Sequence, residues 1–235
     1  MKQKSSGVIP RAGEKSGILS PISRGKFLQY AGFSVAATGL VLVGCSDDDD
    51  GPGTVDLGSG DIGILNYAYL LEQLEAAFYE NATANPYTDM SAAEKTVLED
   101  IREHERAHRD FFKKALGTSA IAQATFDFSS IDFKSRASVL GAAKTFEDLG
   151  VSAYNGAGQL LKDANYLLAA GKIVSVEARH AAAIRDMLNA YSADFAGDDV
   201  VTASNGLDQA KDPSTVLAAA KPYVKTTVVI TNLPS

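Results

Sequence analysis

Glu72, Glu105, His108, Glu147, Glu177 and His180 belong to a pattern that occurs twice along the chain. In the first half, Glu72 is followed seven residues on by Tyr79, and Glu105-Arg106-Ala107-His108 comes later. In the second half, Glu147 is followed seven residues on by Tyr154, and then by Glu177-Ala178-Arg179-His180. One lone Glu and one Glu-x-x-His per half is the ligand set for two metal ions in the core of a four-helix bundle. Glu and His at i and i+3 lie roughly 60° apart on one helical turn, so both reach the same side. Carboxylate plus imidazole suits iron or manganese better than calcium, with zinc an open alternative. Two of the three histidines follow a Glu at this spacing; with ten Glu in the chain, chance gives that on the order of one percent of the time or less.

Four helices must carry these groups. The first is expected from Asp61, as its cap, to about Ala82, with Asn85-Pro86 beyond its end. At about 100° per residue, Leu65, Ala68, Ala76 and Tyr79 share the face of Glu72. The second starts with a capping box, Ser91 to Glu94, and ends at Leu116-Gly117; its inward stripe is Leu98, Ile101, Glu105, His108, Phe112 and Leu116. Residues 118–134 have no helical period, and Phe126, Phe128, Ile131 and Phe133 suggest an extended, half-buried crossover. The third helix is expected over about 135–161 and the fourth over about 165–191, with Glu147, Glu177 and His180 on their apolar stripes. Gly150, Gly156 and Gly158 either weaken the third or permit close approach. Lone carboxylates at core positions are costly unless paired or bound to metal, and four of them with two imidazoles would repel without cations between them.

The bulk properties agree. The chain has 235 residues, 46% of them hydrophobic, enough to fill one sizeable core. Its single cysteine excludes an internal disulfide and a thiolate-rich zinc site. The net charge of −7 and the acidic balance beyond residue 44 argue against nucleic acid as a partner.

Residues 1–44 are expected to be a signal segment: a basic lead, then the apolar stretch 27–44. Leu42-Val43-Gly44-Cys45 resembles a bacterial lipobox, which implies cleavage at Cys45 and its lipidation, and hence a membrane anchor. Ser23-Arg24-Gly25-Lys26-Phe27-Leu28 resembles a twin-arginine signal in which the second Arg is Gly25. Residues 45–60 read as an acidic flexible tether, with Asp47 to Asp50 directly after the cysteine. Such a run resembles a surface-export signal, so the expected location is the bacterial outer membrane or cell surface, with the periplasm as the alternative. Residues 61–195 form the bundle, and 196–235 an irregular tail packed on it, with a short helix at 213–220 and a strand-like stretch at 226–230.

With these residues in hand, the sequence resembles the ferritin-like superfamily of di-iron carboxylate proteins over about residues 61–195. Within it, the nearest likeness is to exported ferritin-like proteins related to desiccation-associated proteins. The resemblance implies an all-α, ferritin-like four-helix bundle with a long crossover between helices two and three. It also implies two iron ions held by Glu72, Glu105, His108, Glu147, Glu177 and His180, with Glu105 and Glu177 bridging. Tyr79 and Tyr154 would hydrogen-bond the ligand carboxylates. Glu75, one turn from Glu72, is the rival for the first-helix ligand, but the seven-residue step to Tyr79 favours Glu72. The tail departs from cage-forming ferritins, so an oligomer need not be a 24-subunit shell.

The implied chemistry is reaction of iron(II) with dioxygen or peroxide, as a ferroxidase or peroxidase-like protein under oxidative or desiccation stress. The contrasting reading is a non-enzymatic metal-binding or structural envelope protein. A third reads His104-Glu105-Arg106-Ala107-His108 as H-E-x-x-H, the zinc metalloprotease helix, in which His104 and His108 bind zinc and Glu105 is the base. That reading leaves the second-half repeat unexplained and points His104 away from the stripe.

Overall fold

The computed structural model describes residues 53–234. The calls on the signal segment, Cys45 and most of the acidic tether lie outside the described residues. Four long helices dominate: α1 (Gly60–Ala84), α2 (Ala92–Leu116), α3 (Arg136–Gly158) and α4 (Ala164–Leu188). They pack as two antiparallel hairpins, α1 on α2 and α3 on α4, which face each other through α1–α3 and α2–α4. The chain crosses from one hairpin to the other over the long segment between α2 and α3. The fold is all-α in its core, as expected. Among the described residues, no helix is long and apolar enough to cross a membrane.

Helix starts follow local chemistry. Ser91 and Glu94 form the full capping box of α2, each side chain accepting from the other's backbone N–H (3.2 and 2.9 Å). Ser135 caps α3 and Asp163 caps α4. α1 differs from expectation: Ser59 occupies the cap position without a side-chain bond, and Asp61 lies in the first turn. Its carboxylate instead accepts from the backbone N–H of Lys162 and Asp163 (2.9 and 2.8 Å) and ties the α3–α4 connection to the start of α1.

α1 is buried on most sides because the other hairpin, the crossover and the C-terminal segment all pack around it. Its buried amides serve backbone groups of the segments around it, and the crossover bridges to the tail between Phe126 and Val224. Asn66 donates to Leu57 O and Ser119 O and accepts from Ile121 N, while Gln73 accepts from Ala124 N. Phe128 and Phe133 pin the crossover against Phe78, each with rings 6.1 Å apart, and Phe146 completes the cluster from α3 at 5.0 Å.

The tail packs on the bundle. It contains β2 (Val201–Thr202), β3 (Leu207–Asp208), α5 (Pro213–Ala220) and β4 (Thr227–Val229). β4 pairs in parallel with β1 (Thr54–Asp56), Val55 opposite Val228. The tether therefore ends earlier than residue 60, since Thr54–Asp56 is a strand and Leu57 is fully buried. Arg185 of α4, 2% exposed, holds the tail at a second place. Its guanidinium grips Asp148 of α3 bidentately (2.8 and 2.7 Å) and reaches Asp199 (3.0 and 2.8 Å) and the carbonyl of Asp194.

Gly156 marks a third contact. Lys211 N donates to Ser152 O, and a Cβ on Gly156 would fall 1.8 Å from Lys211 O. Only glycine lets the tail backbone lie that close to α3. Gly156→Ala should push residues 205–215 off the bundle and cost about 1–3 kcal/mol. Limited proteolysis within that stretch, with helix content retained by circular dichroism, is the expected outcome. A variant as resistant as the parent would contradict this role for Gly156.

Candidate metal centre

The four helices bring all six side chains of the repeat to one place. Glu72, Glu105, Glu147 and Glu177 are fully buried, and His180 is buried with them. His108 is 13% exposed at its side chain. The donor atoms fall into two groups, each within 4.8 Å: Glu72, Glu105, His108 and Glu177 in one, Glu105, Glu147, Glu177 and His180 in the other. Glu105 and Glu177 belong to both.

The two shared carboxylates divide their oxygens between the two imidazoles. His108 Nδ1 lies 2.8 Å from Glu177 Oε1 and 3.4 Å from Glu105 Oε2. His180 Nδ1 lies 2.7 Å from Glu105 Oε1 and 3.9 Å from Glu177 Oε2. The unshared carboxylates stand at the ends, with Glu72 Oε2 3.5 Å from His108 Nδ1 and Glu147 Oε2 3.5 Å from His180 Nδ1.

Each end carboxylate turns its other oxygen to a tyrosine of the opposite hairpin. Tyr79 of α1 donates to Glu147 Oε1 of α3 at 2.5 Å, and Tyr154 of α3 donates to Glu72 Oε1 of α1. The seven-residue step seen twice in the sequence thus becomes a pair of crossed braces between α1 and α3. Glu75 is buried beside the site but belongs to neither group of four, so Glu72 is the carboxylate that α1 contributes to them.

The donors are crowded yet poorly hydrogen-bonded. Both oxygens of Glu105 and Glu177, the inward oxygens of Glu72 and Glu147, and Nδ1 of both histidines are buried without an aligned partner. Natural cores rarely leave so many polar atoms unsatisfied, and such a cluster calls for an ion or a catalytic role. Oxygen and imidazole donors converging from four helices fit a transition-metal ion chemically.

Burial pushes the carboxyl of Glu72 up to about 7, despite the opposing effects of His108 and Tyr154. Glu177 is also raised well above the usual carboxylate range, through burial and then the charges of Glu105 and Glu72. Glu147 is raised by burial as well. Glu105 goes the other way: burial would raise it, but the two imidazoles hold it at about 2. Burial would lower both histidines, yet the surrounding carboxylates outweigh it, raising His108 strongly and His180 to about 10. Without metal, protons on His108 and His180 supply the positive charge the carboxylates require.

His104 lies off the inward stripe of α2, as the sequence suggests. It belongs to neither donor group, so the H-E-x-x-H arrangement of two histidines on one ion does not form. It is not idle, however. His104 Nδ1 lies 2.9 Å from His180 Nε2, and the two rings stack with centroids 5.1 Å apart. With His180 Nδ1 turned inward, its Nε2–H can donate to His104, the usual way an outer partner fixes a metal-binding imidazole. Among the described residues, His108 has no such partner. The clue lay in position: His104 is one turn before His108 on α2, on the side that meets α4.

His104→Ala should weaken metal binding at the group containing His180 on the order of 10–100-fold, leaving the His108 group near wild type. Competition against a chromophoric chelator would read this out. Equal affinity at both groups would show that His180 needs no brace.

A search of curated proteins returned no match. A family model described as a ferritin-like domain matches residues 60–190, more than half of the chain and all four helices of the bundle. Together with the geometry of the buried Glu and His cluster, that match shows that the chain belongs to the ferritin-like domain family.

Proposed function

We propose that this is an exported, lipid-anchored protein whose bundle holds two iron ions and reacts with dioxygen or peroxide. The observation that carries the metal reading is the division of Glu105 and Glu177, each presenting one oxygen to either histidine. A carboxylate so placed can serve two ions at once. Glu72 and His108 would complete one set of donors, Glu147 and His180 the other. Manganese or zinc could occupy the same donors.

Four carboxylates match the charge of two divalent ions. Two iron(II) ions held there would supply the electrons for reducing dioxygen or peroxide. Tyr79 and Tyr154 orient the end carboxylates, and His104 orients His180. The apolar packing around the site limits water. A small apolar cavity of about 20 Å³ is bordered by Leu65 and Ala68 of α1, Phe112 of α2, Ala153 and Tyr154 of α3 and Ala170 of α4. It has room for about one water-sized molecule, and none of the six donors borders it. The export and anchoring part rests on Leu42-Val43-Gly44-Cys45 and the basic and apolar stretches before it. A role in oxidative or desiccation stress follows from that setting and from the family resemblance.

Anaerobic titration with iron(II), followed by oxygen, tests the reaction. Two iron ions per chain and fast oxidation are expected, with Glu105→Ala losing far more than the roughly 10–100-fold in affinity that outer-shell changes cost. Stable binding without oxidation would replace the enzyme reading with a metal-holding one.

Binding must also displace the protons on His108 and His180, whose raised values keep them charged at neutral pH. Metal affinity should therefore fall as pH falls, by about tenfold per pH unit for each proton released. Proton release in a weakly buffered titration checks the sign; affinity that is flat between pH 6 and 8 would contradict it.

A further inference from the structure

The segment after α4 arches over the groove between α3 and α4 without filling it. A hollow of about 200 Å³ remains beneath it. Val151 of α3 and Ala178, Ala181 and Ala182 of α4 line the helix side, and Phe195 and Val200 line the tail side. The small side chains on α4 leave the room. None of the six donors of the metal centre lines this hollow, so it is a separate place in the fold. A cavity of about 150 Å³ already accepts a benzene ring. Phe195 is 56% exposed at the mouth, an aromatic ring in position to cover an occupant.

The charged groups around the hollow decide what can enter. Arg185 has no donor left for an anion: its N–H groups are taken by Asp148, Asp199 and the carbonyl of Asp194. Lys144 also reaches Asp199, at 3.4 Å. Asp148 and Asp199 are therefore balanced by Arg185 and Lys144. Asp208, which lines the hollow from the tail, is left over. Its carboxylate accepts from the backbone N–H of Gln209 at 2.9 Å, and among the described residues no cation pairs with it. An apolar hollow with one unbalanced carboxylate at its edge complements an apolar body that carries a single positive charge.

We propose that this hollow binds a small organic cation, an apolar ring or chain bearing an ammonium group. The ammonium would sit on Asp208, and the apolar part between the α4 alanines and Phe195, whose ring face also attracts a cation. The site goes beyond the metal reading and does not depend on it. Its occupant would fasten the tail onto α3 and α4, the helices that carry Glu147, Glu177 and His180.

The test is calorimetric titration of the full chain with benzylamine, with benzyl alcohol and benzoate as neutral and anionic molecules of the same shape. Benzylamine should bind at least about tenfold more tightly than benzyl alcohol, and benzoate should not bind. Asp208 is exposed, so Asp208→Asn should fold as the parent does. It should lose about 10–100-fold in affinity for benzylamine, the worth of a hydrogen bond to a charged group. Ala182→Leu fills the hollow and should remove binding of benzylamine and benzyl alcohol alike. Equal affinity for the amine and the alcohol, unchanged benzylamine binding in Asp208→Asn, or no binding of benzylamine at millimolar concentration would each overturn the assignment.

Discussion

Four ionisable carboxyls and two imidazoles at full or nearly full burial make a core that cannot be satisfied by protein alone. Charges buried this way are tolerated only when opposite charge lies among them. In the protein without metal, protons on His108 and His180 fill that role, and several carboxyls are pushed toward their neutral forms. This is a strained compromise, because an imidazolium cannot satisfy three carboxylates at once. Cations that accept several oxygens each resolve it. The rest of the structure serves to keep these groups together against their mutual repulsion.

Rigid helices supply the positions, and connections between them resist spreading. Tyr79 and Tyr154 cross from one hairpin to the other and hold the end carboxylates. Asp61 ties the start of α1 to the turn before α4. Arg185 clamps α4 to α3 and to the tail through Asp148 and Asp199. The parallel pair of β1 and β4 fastens the segment before the bundle to the segment after it. The two halves are alike in plan yet differ in detail. His180 has His104 behind it, whereas His108 is partly open. Glu75 faces a glycine rather than its own counterpart.

Much of this was legible in the sequence because its signals are local. Glu-x-x-His on an apolar stripe depends only on helical period, and the Ser91–Glu94 box and the Gly117 stop mark α2 by backbone chemistry alone. Pro213 opens α5 where expected. What the sequence does not reveal involves partners distant along the chain. Asp61 resembles a cap, but its partners are backbone groups a hundred residues away. His104 lies off the stripe of α2, yet α4 brings His180 to it. The pairing of Thr54–Asp56 with Thr227–Val229 joins the two ends of the described chain, which no local pattern encodes. Gly150 reads as a weak point in α3 or a place of close approach, but that the carboxylate of Glu75 lies against it is set by the packing of α1 on α3.

The central claim is that Glu105 and Glu177 are shared between two ions. Anomalous diffraction from crystals soaked in manganese(II) measures this directly. Two peaks are expected on either side of the shared carboxylates, one reached by Glu72 and His108, the other by Glu147 and His180. A single peak, or manganese bound only at the surface with Glu105 and Glu177 untouched, would contradict it.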